Sequence, residues 1–222
     1  MRLGISPLAF LIRLLIVFLI TYVLWTPLAP YYTRLLATVT EAFLHLTESS
    51  SDPNLYHVTI MRVQGTSIFF QHRLFPQVHL NAIEGDWVQA NLVLLIPLML
   101  ATPAPTYRKR FARLALALAL AFVLQVLDLV VTVKAIYAHA LGSYSAHYYS
   151  GAARTLYGFA YAFTYAMDNQ LFPFAIWAGI HFNQLVGRQP PAAPAAAVPG
   201  TSSPAPGPRR KRKAASKAAS RT

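Results

Sequence analysis

Gln125, Asp128 and Thr132 recur at i, i+3 and i+7, a spacing that puts all three on one face of a helix. They interrupt an apolar stretch, 114–138, that is otherwise relieved mainly by Lys134. In a second apolar stretch, 156–180, Tyr157, Tyr161, Tyr165 and Asp168 recur at i, i+4, i+8 and i+11, with Asn169 beside Asp168. A charged group inside hydrocarbon costs about 3 kcal/mol or more, so such residues turn toward protein and find partners. The spacing predicts a polar site of Gln125, Asp128, Tyr161, Tyr165, Asp168 and Asn169 between two helices. Two chemistries fit it. One is a structural clasp, with a carboxyl hydrogen-bonded to a tyrosine hydroxyl. The other is a proton or ligand site.

Two carboxylates on neighbouring helices are also what an aspartyl protease needs. The contexts here are Val126-Leu127-Asp128 and Ala166-Met167-Asp168. They lack the Gly-x-Gly-Asp and Tyr-Asp motifs of the intramembrane enzymes, so that chemistry is set aside. A second candidate group is Glu84 and Asp86, which flank Gly85, together with His139 and His147. These could form a site at a membrane mouth, although acids at a helix start also serve as caps. His57, His72 and His79 show no tight ligand spacing, so no metal is expected. The chain has no cysteine, which removes thiolate catalysis, disulfides and zinc–thiolate sites. No cofactor is expected either.

The elements that must position these residues are four apolar stretches, at about 8–28, 86–104, 114–138 and 156–180. A helix needs roughly 20 apolar residues to cross about 30 Å of hydrocarbon. Only 12% of the 222 residues are charged and 55% are hydrophobic, against about 25% charged in soluble domains. With the N-terminus inside, fourteen of the 19 Lys and Arg residues fall on one side of the four crossings. Such a bias marks the cytoplasmic side. The expectation is an inner-membrane protein with both termini in the cytoplasm. Between the first two stretches, 32–46 keeps helical periodicity and reads as an outer amphipathic helix. Residues 55–80 alternate about a Gln64-Gly65-Thr66 turn and read as a small extracytoplasmic β-hairpin or three short strands. The fold class is therefore mostly α, a four-transmembrane-helix bundle with that hairpin, over 1–187. Residues 188–222 form a disordered Pro/Ala-rich tail. Its cluster Arg209, Arg210, Lys211, Arg212 and Lys213 is expected to meet anionic lipid, the nearest phosphate, ahead of nucleic acid.

The order of parts from Val58 to Gly142 resembles the exosortase/archaeosortase family of membrane transpeptidases. Those proteins carry a strand-turn-strand unit, an Ala-Cys-Ser-Gly-Leu-Arg type motif opening a helix, a basic inner loop, an Asn-x-x-Arg span and then a catalytic His. This chain has Val63-Gln64-Gly65-Thr66, then Ala82-Ile83-Glu84-Gly85-Asp86-Trp87, then Tyr107-Arg108-Lys109-Arg110, then Leu124-Gln125-Val126-Leu127-Asp128. Ala82 and Gly85 match the motif. Ile83 stands where the family has its nucleophilic Cys, Gln125 where it has Asn, and Asp128 where it has Arg. His139 or His147 takes the place of the His. A thioester mechanism needs a thiolate, so the resemblance implies a non-catalytic relative. Its expected role is an accessory protein that partners an exosortase or its substrate. The alternative is a small, proton-linked transporter using Asp128 and Asp168, which at this size would form a homo-oligomer.

Overall fold

The computed structural model describes residues 7–48, 57–75, 83–104, 106–168 and 171–185. The basic tail, including Arg209–Lys213, lies outside the described residues, as does Asn169. Of the described residues, 81% are helical. Two helices, α1 (Pro7–Thr47) and α3 (Tyr107–Ala140), are long and apolar enough to cross a membrane. Helix α2 (Gly85–Ala101) runs between them, with a three-stranded sheet before it.

The expected outer amphipathic helix is not a separate element. It is the second half of α1, which continues through Pro27 and Pro30 for 41 residues. Proline keeps a helical φ and costs a hydrogen bond, so a helix passes through it only where packing holds both sides. Here α2 supplies that packing. Gln89 accepts from Trp25 Nε1 at 3.2 Å and donates to the Ala29 carbonyl at 3.4 Å and to the Thr33 hydroxyl.

The fourth apolar stretch holds two described helices, α5 (Gly151–Asp168) and α6 (Leu171–Leu185), after a short α4 (Ser143–Tyr148). Residues 169–170, between α5 and α6, lie outside the described residues. Both pieces still run along α3 in the opposite direction. Asp128 hydrogen-bonds Thr164 on α5, and Ala121 shares a buried cluster with Ile176 on α6.

The hairpin forms as the alternation predicts, with β1 (Thr59–Gln64) antiparallel to β2 (Ser67–His72). Gly65 takes φ +63° in the two-residue turn, the sign that a tight hairpin turn demands. The third strand is β3 (Ile83–Glu84), paired with the start of β2. The strand expected at 78–80 lies outside the described residues. The buried face of the sheet carries Thr59, Met61, Ile68, Phe70 and His72, and it rests on Leu36, Leu44, Leu129, Val133 and Tyr137 of α1 and α3. Below this lies a second cluster of Leu92, Leu95, Met99, Ala117, Ala121 and Ile176.

Gly85 fixes how α2 meets the hairpin. A Cβ there would stand 1.7 Å from the carbonyl oxygen of Thr66. Gly85→Ala must therefore push the turn away from α2, and a loss of about 1–3 kcal/mol in thermal unfolding of the detergent-solubilised protein is expected. Gly65→Ala meets no atom within 4 Å. It suffers only the backbone penalty of about 1–2 kcal/mol. Unchanged stability in Gly85→Ala would contradict the close approach.

Candidate functional site

The described members of the two groups singled out from spacing take the following places. Gln125 is buried, but its partner is on α1, where the Tyr32 hydroxyl donates to its side-chain oxygen. Asp128 faces Thr164 of α5. Tyr161 and Tyr165 do not join either of them. They lie on the outer face of α5, 39% and 64% exposed, with their rings 6.2 Å apart. The side chains of Asp168 and Asp86 lie outside the described residues. Glu84 takes the N-cap position of α2 without a side-chain cap. His139 is far along the chain on another helix, where its Nε2 donates to the Arg154 carbonyl at 3.0 Å and abuts Gly158. His147 sits edge-on to Tyr148 with ring centres 4.8 Å apart.

What the fold does assemble is a polar junction where α1, β1 and α3 meet. Strand β1 is the edge of the sheet, and its outward backbone groups need partners. Helix α1 provides them with side chains. Glu41, His45 and Glu48 recur at i, i+4 and i+7 toward its C-terminal end. Glu41 accepts the Met61 N–H at 3.3 Å. His45 Nε2 donates to the Thr59 carbonyl at 2.8 Å. Glu48 accepts the Thr59 N–H at 3.3 Å and also the Thr59 hydroxyl. Lys134, six residues before the end of α3, completes the junction with its ammonium 3.6 Å from Glu48. Both charges are buried, at 8% and 9% exposure.

Beside this junction opens a cavity of about 370 Å³, walled by Glu48 and Lys134 and by Tyr137, Tyr144, Tyr148, Tyr149 and Tyr157. The tyrosines come from the end of α3, from α4 and from α5. The turn that brings them together is built by Gly142, with φ +56°, and by Ser145, whose hydroxyl donates to the Tyr137 carbonyl at 2.7 Å and accepts the Leu141 N–H at 3.0 Å. Burial, with Glu48 nearby and Tyr148 beyond it, pushes the Tyr144 phenol up to about 12. Burial first, then Tyr144 and Tyr157, pushes Tyr149 up as well. Both are neutral hydrogen-bonding groups at physiological pH.

His72 forms the floor of the sheet opposite Thr59. It is fully buried, with Tyr137 and Tyr144 rings edge-on at 4.9 and 4.7 Å. Its Nδ1 accepts the Leu74 N–H at 3.3 Å, so the proton sits on Nε2. Burial lowers its pKa from 6.5 to about 4, with Lys134 adding to this and Glu48 opposing it. Among the described residues no three of His, Asp or Glu converge to hold a metal ion.

Sequence reasoning passed over Glu48, Thr59 and Lys134. A signal was present, because Lys134 is the one cation inside the stretch 114–138 and a buried cation requires a partner. The chain matches no protein-family model, no curated protein and no solved structure.

Two outcomes follow. Lys134→Met leaves the Glu48 carboxylate buried without its cation and is expected to cost about 3–5 kcal/mol, most of it recovered in the double variant Glu48→Gln/Lys134→Met. Equal stability of the single and double variants in chemical unfolding would contradict the pairing. For His72 the folded pKa lies below the unfolded one, so the unfolded chain binds more protons between pH 6.5 and about 4. Stability falls as pH drops through that window and levels off below it. His72→Phe should flatten that slope in Tm against pH.

Proposed function

We propose that the protein is a four-pass bacterial inner-membrane protein with cytoplasmic termini, and a non-catalytic partner in an exosortase-type protein-sorting system. The outward faces support the membrane reading. Of the most apolar 18-residue window of α1, 6% is buried within the chain. Leu8, Val23, Phe159 and Tyr165 are each more than 60% exposed. Lipid is the solvent that such a surface requires. In this reading α5 and α6 together make the fourth crossing, and α2 the second. The basic run Arg108–Arg113 then sits in the cytoplasmic headgroups, while the sheet and the tyrosine cavity stand at the opposite, extracytoplasmic end.

The observation that carries the functional reading is that cavity. It is a preformed cleft of the size that ligand sites have, and it is walled by side chains whose chemistry suits binding. Ile83, at the position where the resembling family has its nucleophile, lies in β3 and pairs with Ile68 toward the turn end of the hairpin, away from the cavity lining. A cleft of this size on a chain without a thiolate suits a protein that holds a sorting enzyme or its substrate. The alternative, proton-linked transport through Asp128 and Asp168, is less well supported, because Asp128 is engaged by Thr164 as a clasp between α3 and α5.

The absence of native cysteine makes the topology easy to test. Arg62→Cys should react with a membrane-impermeant maleimide in intact spheroplasts, and Lys109→Cys only after lysis. The reverse pattern would overturn the orientation. Crosslinking in native membranes, with a tagged C-terminus and mass spectrometry, should recover an exosortase or a protein bearing a C-terminal sorting signal. Recovery of the chain alone or as a homo-oligomer would sink the partner reading, and loss of proton-coupled flux in Asp128→Asn would then favour transport.

A further inference from the structure

Four cations crowd the first two turns of α3, and two of them turn toward protein. Arg110 and Arg113 are half-buried, on the helix face that carries Leu114, Ala117 and Ala121 into the lower apolar cluster. Arg108 and Lys109 are exposed. Helix α6 closes the other side of this seam. Its Trp177 and Ile180 join the same cluster, and Trp177 Nε1 donates to the Thr102 hydroxyl at the end of α2 at 2.8 Å. His181 of α6 stands close enough to Arg113 to feel its charge. Its Nδ1 donates to the Trp177 carbonyl at 3.0 Å, and it offers Arg113 no counter-charge. The Arg110 guanidinium lies 5.7 Å from the centre of the Tyr107 ring, which leaves its N–H edge for hydrogen bonds.

A guanidinium has five donors, no acceptor and a permanent charge. Arg110 Nε and Arg113 Nη1 are both shielded from solvent and have no hydrogen-bond partner among the described residues. No carboxylate is near enough to serve. The seven acids of the chain fall within 41–86, at 128 and at 168. Asp128, the nearest along α3, is fifteen residues beyond Arg113, about 22 Å up the helix. The ion pairs of the described residues, at Glu41 and Glu48, lie toward the opposite end of the bundle. A basic side chain free to choose would extend into the headgroups. These two are held against protein without an anion, which is costly.

We infer that the seam between the start of α3 and the end of α6 is a binding site for the phosphate of an acidic glycerophospholipid. The phosphate oxygens match the guanidinium fork and take the unpartnered donors of Arg110 and Arg113. The lip of the site favours a lipid over free phosphate. Tyr107, Phe111 and Phe182, each more than half exposed, stand beside the cations where acyl chains would cover them. Basic pockets between helices on the cytoplasmic side suit acidic headgroups, whereas a zwitterionic headgroup would bring its own ammonium into a cluster of four cations. The inference rests on the membrane orientation proposed above and adds a specific lipid to it. The site belongs to the bundle and does not involve the basic tail.

The test titrates the full chain in detergent with phosphatidylglycerol, with phosphatidylcholine of the same acyl chains, and with inorganic phosphate. Binding is read by native mass spectrometry and by the shift in Tm. One phosphatidylglycerol per chain is expected to bind about tenfold more tightly than phosphatidylcholine. Arg110→Gln and Arg113→Gln should each reduce that preference about fivefold. Arg108→Gln and Lys109→Gln remove the same charge from the exposed side and should leave it unchanged, with the tail intact in all four. Equal losses in all four would reduce the site to diffuse surface charge and overturn the inference. Without lipid, Arg113→Gln should unfold at the same or a higher Tm, because it removes an unpaired cation. A clearly lower Tm would mean that Arg113 is paired within the chain, and would also overturn it. Inorganic phosphate that raises Tm as much as phosphatidylglycerol would rule out the lipid source. Alkaline carbonate extraction of native membranes separates this inference from the membrane reading. A chain that stays in the membrane yet shows no preference for phosphatidylglycerol loses only the lipid site, and a chain released by carbonate loses both.

Discussion

The outer edge of β1 is the constraint on which the rest of this structure depends. A strand edge presents backbone donors and acceptors that must be paired, covered or left to water. In this protein the neighbouring element is a helix, which cannot continue a backbone ladder. The ladder is finished by side chains, with Glu41, His45 and Glu48 standing in for the next strand. This choice has structural consequences. It places a carboxylate at the top of α1, which calls for a cation at the same level of α3, and Lys134 is there. It ties the sheet to α1 along nearly two turns, so the hairpin cannot rotate on its stem. It also leaves Lys134 at the wall of the cavity, where a simple surface lysine would have reached water.

Two kinds of polar contact hold the bundle together, and they do different work. The lower one is neutral. Gln89 bridges Trp25, Ala29 and Thr33, and Tyr32 reaches Gln125, at the seam between the two apolar clusters. Amide and hydroxyl groups of this kind set the register of α1 against α2 and α3 at modest desolvation cost. The upper contact is ionic. A buried pair stabilises little over an apolar substitute, because both charges lose their hydration.

Much of the architecture was legible from the residues, and the parts that were not have physical reasons. Alternation about Gln64-Gly65-Thr66 located the hairpin because period 2 and a turn glycine are local properties. The start of α2 at Gly85 followed from local signals as well. The direction in which a face points is not local. Tyr161 and Tyr165 share a face at helical spacing, but that face turns outward, since aromatic side chains are as much at home against lipid as in a core. Asp128 finds its partner in Thr164, at i+7 from Tyr157, a short hydroxyl that is less conspicuous in the sequence than the tyrosines around it. The Glu41, His45 and Glu48 series has helical period, yet nothing in the sequence says that its target is a strand edge. Lys134 could have been found by asking where a buried cation goes.

The claim that α1 closes the sheet can be tested without any substitution, by hydrogen exchange of the individual backbone amides. The Thr59 and Met61 N–H groups point away from β2 and depend wholly on Glu48 and Glu41. If those carboxylates complete the ladder, both amides are protected as strongly as the β1 amides that face β2, and both lose protection together, relative to the intrinsic exchange rate at each pH, when the pH is lowered enough to protonate the acids. Fast exchange of Thr59 and Met61 at neutral pH, beside slow exchange of their neighbours, would mean that the edge is open and that the junction described here does not hold the fold.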